Sequence, residues 1–211
     1  MEYNSKRKIE TKTDRSMLKE KLKNYNIILA SASPRRQHFF KELEVEFSIE
    51  VRAVDEVYPS HLKASEITDY LAQLKAAAFQ DISENELIIT SDTIVWDGKK
   101  AINKPEDFDD AIAMLHHLSG TMHEVYTSVC FTANNFQITI NDCTKVWFKE
   151  LTLEEITYYL NTCKPFDKAG SYGIQDWLGY TGVEKIEGCF FNVMGLPTRL
   201  VYKTLMEIAN H

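Results

Sequence analysis

Hydrophobic residues in this chain follow two spacings, one typical of strands and one typical of helices. A short apolar run at 27–30 and alternating apolar positions at 47–51 predict strands. Alanine and leucine recur at helical spacing over 64–80, with Ser65 as a helix cap. Further predicted elements are a helix after Ser33, strands at 87–90 and 93–96, a helix at 107–118, strands at 123–132 and 136–149, a helix from Thr152 to about 161, strands at 183–186 and 189–193, and a helix at 197–209.

Local turn and cap signals fix several boundaries between these elements. Asp97-Gly98 predicts a tight hairpin turn, and Thr152 with Glu155 predicts a capping box. A glycine-rich loop is expected over 167–182. Helices alternate with strands, but the hairpins exclude an all-parallel sheet, so the pattern predicts an α/β fold with a mixed β-sheet and flanking helices.

The first residues of the chain differ from the rest in charge and in pattern. Residues 1–16 are polar and lack periodicity, so residues 1–24 are predicted to form a basic leader, disordered or partly helical, before a single domain at 25–211. Residues 1–25 carry a net charge of +4, whereas the whole chain carries −7, which leaves −11 on the remainder. Such an acidic body argues against nucleic acid as a partner.

Composition and targeting signals point to a cytoplasmic protein that does not bind membranes. Of the 211 residues, 44% are hydrophobic and 26% charged, as in globular proteins, and no apolar stretch is long enough for a membrane span. No secretory signal precedes the first predicted strand. The cysteines are far apart in sequence, so reduced thiols are expected: Cys130, Cys143, Cys163 and Cys189.

The most informative segment places two arginines in the first turn of a helix. Ser33 can cap that helix and Pro34 suits its first position, so Arg35 and Arg36 lie near its positive end. Cations are unfavourable there, and an anion bound between the backbone N–H groups and the guanidinium groups would reverse that penalty. The segment is therefore either a phosphate site or a solvated turn with two exposed arginines.

Carboxylates and lysines supply the other candidates. Asp92 lies between two apolar β runs, where a partly enclosed carboxylate needs a cation, a metal or a water that it can deprotonate; a solvated turn is the alternative. Asp55 and Glu56 could add oxygen ligands for a divalent cation or form an exposed acidic loop. Three lysines stand in distinctive local sequences, although each alone is more often a solvated surface charge: Lys75, Lys104 and Lys168.

Five motifs, in order along the chain, resemble the Maf family of nucleotide pyrophosphatases. They are Ser31-Ala-Ser-Pro-Arg-Arg36, Ser91-Asp-Thr-Ile-Val95, Asn103-Lys-Pro105, Leu118-Ser-Gly120 and Asp167-Lys-Ala-Gly-Ser-Tyr-Gly-Ile-Gln175. The Gly-Ile-Gln ending resembles the branch that acts on dTTP and UTP. The resemblance implies a curved mixed sheet in two lobes around a central cleft, similar to the inosine triphosphate pyrophosphatases, and a homodimer.

The implied reaction is hydrolysis of a nucleoside triphosphate between its α and β phosphates, with Mg²⁺ or Mn²⁺ as cofactor. Asp92 matches the general base, and Asp55, Glu56 and Asp92 are the implied metal ligands. The residues implied in substrate choice are Arg35, Thr93 and Gln175. The residues implied in phosphate binding are Ser33, Arg36, Lys75, Lys104 and Lys168. The alternative is a nucleotide-binding regulator of cell division and septum formation.

Overall fold

Within residues 17–210, which the computed structural model describes, seven strands form one mixed sheet. The strands are β1 (Asn26–Leu29), β2 (Ser48–Ile49), β3 (Glu86–Trp96), β4 (Ala101–Ile102), β5 (Met122–Thr132), β6 (Gln137–Phe148) and β7 (Val183–Glu187). Their order is β2-β1-β3-β5-β6-β7, and β4 pairs with the far end of β3. β1 is parallel to β2 and β3, and the other pairs are antiparallel, so the predicted mixed sheet is confirmed.

Helices cover both faces of this sheet. The α-helices are α1 (Met17–Lys21), α2 (Pro34–Glu42), α3 (Ser65–Ala77), α4 (Phe108–Leu118), α5 (Leu153–Cys163), α6 (Trp177–Thr181), α7 (Phe190–Val193) and α8 (Thr198–Ile208), and a 3-10 turn spans Ala169–Ser171. Within the described residues, no helix is long and apolar enough to cross a membrane.

The central strand β3 separates the hydrophobic core into parts. Side chains alternate between the faces of a strand, and the even-numbered residues Ile88 and Ile94 pack on the side of α3. On the opposite face, Leu87 and Ile89 join a cluster with α1, α2 and α8, whereas Val95 joins a second cluster with α4, α5 and α6. Polar residues lie between the two clusters, and the predicted two-lobed arrangement around a cleft follows from that interruption.

α1 belongs to the first of these clusters. Its Leu18 is buried, as is Leu22 just after the helix, and both pack in the core that includes Leu205 and Ile208 of α8. The division of the chain at residue 24 stays a prediction, and the expected character of residues 1–16 falls outside the described residues.

Several predicted elements are wrong in detail. The runs at 87–90 and 93–96 form one continuous strand, because the polar residues between them keep their ladder with β5. The predicted strand at 189–193 is the short helix α7, whose Asn192 is anchored through its amide to Val125 O and Thr144 Oγ1. The strand at 47–51 shortens to β2, and Ala64 rather than Ser65 occupies the cap of α3.

The start of α5 carries the predicted capping box. Thr152 Oγ1 accepts a hydrogen bond from Glu155 N at 3.2 Å, and Glu155 Oε2 accepts one from Thr152 N at 2.9 Å. Lys149 pairs with the other oxygen of the same carboxylate. Two backbone donors at the helix start are thereby satisfied, and the helix is fixed where it packs into the second cluster.

We expect Thr152→Ala to destabilise the fold by about 1 kcal/mol, because the N-terminal donor of α5 loses its acceptor. Urea denaturation followed by circular dichroism measures the effect. Thr157→Ala removes a hydroxyl within the same helix rather than at its cap and serves as the control. Equal stability of Thr152→Ala and the parent protein would contradict the role of the cap.

Candidate active site

A gap in the sheet beside β3 creates the cleft. On one edge of β3, β1 pairs only as far as Ile89, where Ala30 N donates the next backbone hydrogen bond at 2.9 Å. β4 takes up the same edge again at Val95. Between these positions the described residues place no strand on that edge, while β5 covers the opposite edge throughout. The sequence Thr90-Ser-Asp-Thr93 lies in the gap.

The cleft at this gap has a volume of about 900 Å³ and an excess of positive charge. Such a volume is within the range of small-molecule sites. Six basic side chains line it, against three acidic ones. The basic residues are Arg35, Arg36, Arg52, Lys75, Lys104 and Lys168, and the acidic residues are Glu56, Asp92 and Asp167. Although the chain carries a net charge of −7, this cleft is suited to anions.

Arg36 connects the start of α2 to the open edge of β3. Its Nη1 donates to Ser91 O at 3.1 Å, its Nη2 to Thr93 Oγ1 at 2.9 Å, and its Nε to Gly195 O at 2.9 Å. Burial lowers the pKa of Arg36, the charge of Asp92 opposes that effect, and an arginine stays charged at physiological pH. Arg36 therefore holds three segments together with a fixed positive charge beneath the cleft.

Asp92 is the most deeply buried carboxylate of the cleft, with 7% of its surface exposed. It lies on the α3 face of β3, where Lys75 Nζ approaches Asp92 Oδ1 to 2.7 Å and Glu56 Oε1 to 3.1 Å. Burial raises the pKa of Asp92, and the charge and hydrogen bond of Lys75 oppose that shift without cancelling it. The result is a carboxylate with increased basicity that is still paired with a cation.

The opposite wall of the cleft carries an ion-pair group. Arg35 Nη1 lies 3.6 Å from Asp167 Oδ2, and Lys168 Nζ lies 2.8 Å from Asp167 Oδ1. Arg35 also donates through Nε to Met194 O at 3.2 Å. Lys168 is 3.8 Å from Asp176 Oδ2 as well. This wall thus presents two cations that share one carboxylate.

The structure brings most of the predicted site residues to one cleft. Its lining includes Ser33, Arg35, Arg36, Glu56, Lys75, Asp92, Thr93, Lys104 and Lys168. Asp55 is exposed in the loop beside Glu56 and is not part of the lining. Gln175 is not part of it either, and its Oε1 is buried without a hydrogen-bond partner among residues 17–210. The roles of all these residues stay predictions.

A close backbone contact fixes the segment that carries Gln175. A Cβ placed on Gly179 of α6 would lie 1.7 Å from the carbonyl oxygen of Ile174, so only glycine allows α6 to approach this closely. Tyr159 OH accepts a hydrogen bond from Gly173 N at 3.0 Å. The backbone just before Gln175 is therefore fixed at two consecutive residues.

Comparison with known proteins places this chain in a protein family. Residues 26–208 match the family described as Maf-like protein. The chain belongs to the Maf family. A relative from Christiangramia forsetii, named dTTP/UTP pyrophosphatase, is 57% identical over 195 residues, which cover 92% of this chain and 100% of the relative.

Other Maf relatives carry the same name. The protein from Flavobacterium johnsoniae named dTTP/UTP pyrophosphatase is 56% identical and matches 91% of this chain and 100% of its own. The protein from Phocaeicola vulgatus with that name is 47% identical and matches 90% of this chain and 99% of its own. Nearly the whole of each relative is thus represented in this chain.

The acidic side chains of this Maf cleft can contribute two carboxylates to a metal site. Among the described residues, no group of three or more His, Cys, Asp or Glu side chains is placed to hold a metal ion. Glu56 and Asp92 nevertheless converge on one point, because both contact the Lys75 ammonium group. Two carboxylates that already face a shared cation fit Mg²⁺, which usually takes one or two carboxylates together with substrate phosphates and water.

The cleft lining also includes polar residues to which the sequence analysis assigns no role, among them Asp167, Ser91 and Arg52. Asp167 opens the motif at 167–175, directly before Lys168, and this position is the sequence signal for it. Ser91 is 2% exposed, lines the cleft and leaves its Oγ without a hydrogen-bond partner among residues 17–210. Arg52 stacks 4.2 Å from the ring centroid of Phe79, and no local pattern around it indicates that contact.

We expect Asp92→Asn to be more stable than the parent protein at pH 7.5. The folded-state pKa of Asp92 is raised above its ordinary value of 3.8, so the fold loses stability as the pH rises through that value towards the folded pKa. Asparagine removes this penalty, while Lys75 keeps Glu56 as a partner.

Urea denaturation at pH 7.5 and near pH 4 measures the difference in free energy of unfolding between the variant and the parent protein. We expect this difference to be smaller at the lower pH. Asp81→Asn, at an exposed loop position, provides a control with the same change of charge. If Asp92→Asn is less stable than the parent protein at pH 7.5, the predicted direction of the stability change is wrong.

Proposed function

We propose that this chain is a nucleoside triphosphate pyrophosphatase that hydrolyses dTTP and UTP to the nucleoside monophosphate and pyrophosphate. The observation that carries the proposal is a buried carboxylate of raised pKa, Asp92, at the base of a cleft lined by six basic side chains. The relatives named dTTP/UTP pyrophosphatase, matched over nearly their whole length, support the choice of substrate.

The cations of the cleft bind and orient the triphosphate. Phosphoryl transfer depends mainly on positioning and on neutralising charge spread over the phosphate oxygens. Lys75 and Arg36 lie beside Asp92 at the base of the cleft, and Lys104 and Lys168 line it as well. Ser33 caps α2, so the free N–H groups at the start of that helix add to the anion site.

Asp92 acts as general base towards a water molecule. The carboxylate takes a proton from the water while the water oxygen forms a bond to the α-phosphorus. The bond from that phosphorus to the α–β bridging oxygen breaks. The electron pair leaves on the pyrophosphate, whose added charge the lysines and arginines stabilise. Because Lys75 is paired with Asp92 at 2.7 Å, substrate phosphates must draw the ammonium group away to free the base.

A divalent cation, Mg²⁺ or Mn²⁺, is proposed as cofactor, with Glu56 and Asp92 as its protein ligands and Asp55 nearby in sequence. The ion would supply charge neutralisation at the phosphate oxygens. Glu56 is held near Asp92 through Lys75, so the chain's own contribution is to keep both carboxylates on one side of the cleft.

Gln175, Arg35 and Thr93 are proposed to select the nucleobase of the substrate. An amide side chain offers a donor and an acceptor, which match O4 and N3–H of uracil or thymine. Gln175 Oε1 lacks a partner among residues 17–210, and a site with buried polar groups rejects analogues that leave them unpaired. We also propose that the protein acts as a homodimer in the cytoplasm. The alternative function, regulation of cell division, has no observation in its favour.

A nucleotide panel tests the reaction. With Mg²⁺ or Mn²⁺ we expect UTP and dTTP to yield pyrophosphate faster than ATP, GTP or CTP, and we expect EDTA to stop turnover. Hydrolysis in ¹⁸O-labelled water places the label in UMP, because attack occurs at the α-phosphorus. Label in the pyrophosphate, release of orthophosphate alone, or no turnover of any triphosphate would refute the proposal.

Replacing the general base should abolish most of the activity without loss of the fold. We expect Asp92→Asn to lower kcat by about 10²–10⁴-fold, because the amide cannot accept the proton of the attacking water. Steady-state pyrophosphate release measures kcat, and Asp81→Asn should retain it. Near-normal turnover by Asp92→Asn would remove Asp92 from this role.

A further inference from the structure

Asp167 forms ion pairs with two cations, Arg35 and Lys168, on the wall of the cleft opposite Asp92. Its Oδ1 lies 2.8 Å from Lys168 Nζ and its Oδ2 lies 3.6 Å from Arg35 Nη1. The Asp167 side chain is 63% exposed, whereas that of Lys168 is 13% exposed. The carboxylate therefore covers a largely buried ammonium group from the solvent side, where an incoming anion would meet it.

Both cations have limited capacity for a second anion while Asp167 is in place. Arg35 uses its Nε on Met194 O, which leaves the terminal amino groups, and one of these faces Asp167. Lys168 has a second acid, Asp176, at 3.8 Å. A phosphate that binds to Arg35 and Lys168 together competes with the carboxylate, because both anions pair with the same two cations.

The shared carboxylate also joins the two lobes. Arg35 lies in the first turn of α2, whose Phe39 and Phe40 are buried in the first hydrophobic cluster. Asp167 follows Phe166, which packs against the second cluster. The pair Arg35–Asp167 thus links residues next to both clusters within the lining of the cleft.

We propose that Asp167 is a built-in competitor of the substrate: in the free protein it neutralises Arg35 and Lys168, and phosphate-bearing ligands bind there only by displacing it. This inference rests on the proposed function, because it concerns the same cleft. It assigns a role to Asp167, which the reaction itself does not use, and it adds a phosphate contact to the role in nucleobase selection proposed for Arg35.

Competition of this kind weakens binding of every phosphate ligand that uses the two cations. Substrate and nucleotide product are affected alike, since each gains the same interactions and loses the same internal ion pairs. The carboxylate returns to the cations when the product leaves, so Asp167 favours product release. A residue that instead positioned Arg35 and Lys168 for the substrate would have the opposite effect on binding.

Asp167→Asn distinguishes these roles by the direction of the change. We expect KM for UTP and the dissociation constant for UMP to fall about two- to fivefold, the range for a partly exposed ion pair. Asp167→Ala should shift both constants in the same direction. Calorimetric titration with UMP measures binding without turnover, and thermal unfolding checks that each variant is folded.

Glu187→Gln is the matched control. Glu187 pairs with Lys185 at 2.9 Å on β7, outside the cleft lining, so it loses the same charge from a similar lysine pair. We expect it to leave both constants unchanged. A rise or no change in both constants for the folded Asp167 variants overturns the proposal, as does an equal fall for Glu187→Gln.

The two proposals fail in different ways. If the parent protein releases pyrophosphate from UTP but the Asp167 variants do not bind UMP more tightly, this inference alone is wrong. If the parent protein neither hydrolyses a triphosphate nor binds UMP, the proposed function is wrong and this inference falls with it.

Discussion

The structure depends on the length of β3 relative to its neighbour β1. β3 continues past the last residue that β1 pairs with, so its backbone must be satisfied over that interval by something other than a strand. Arg36 does this at Ser91 O, and the same guanidinium fixes Thr93 and Gly195. A guanidinium group therefore supplies a backbone hydrogen bond that a neighbouring strand would otherwise make, and it places a positive charge in the lining of the cleft.

Acidic side chains of the cleft already pair with part of its positive charge before any ligand arrives. Lys75 lies between Asp92 and Glu56, and Asp167 lies between Arg35 and Lys168. A bare cluster of six basic side chains would be costly to bring together, because like charges repel at close range. The three acids reduce that repulsion, and each contact that stabilises the free protein is one that the substrate has to replace.

The sequence predicted the mixed sheet, most helices and nine of the residues that line the cleft, because strand alternation and cap signals act locally. The continuity of β3 through Ser91 and Asp92 was missed, since polar residues there resemble a turn and only pairing with β5 keeps them extended. Phe190, Phe191 and Val193 suit a strand and predict one at 189–193, whereas the tertiary hydrogen bonds of Asn192 favour a helix. The partners of Asp167 depend on packing between lobes, which no local pattern contains.

Alternation along β3 places Asp92 and Thr93 on opposite faces of one strand, so Asp92 contacts Lys75 on one face and Thr93 contacts Arg36 on the other. Nine consecutive pairings with β5, from Ile88 with Thr132 to Trp96 with Glu124, hold that register. A single inserted or deleted residue in β3 would exchange the two faces of the strand and break both of these contacts at once. Length variation among descendants of this chain should accordingly be confined to turns such as Asn134-Asn135, while β3 changes only by substitution.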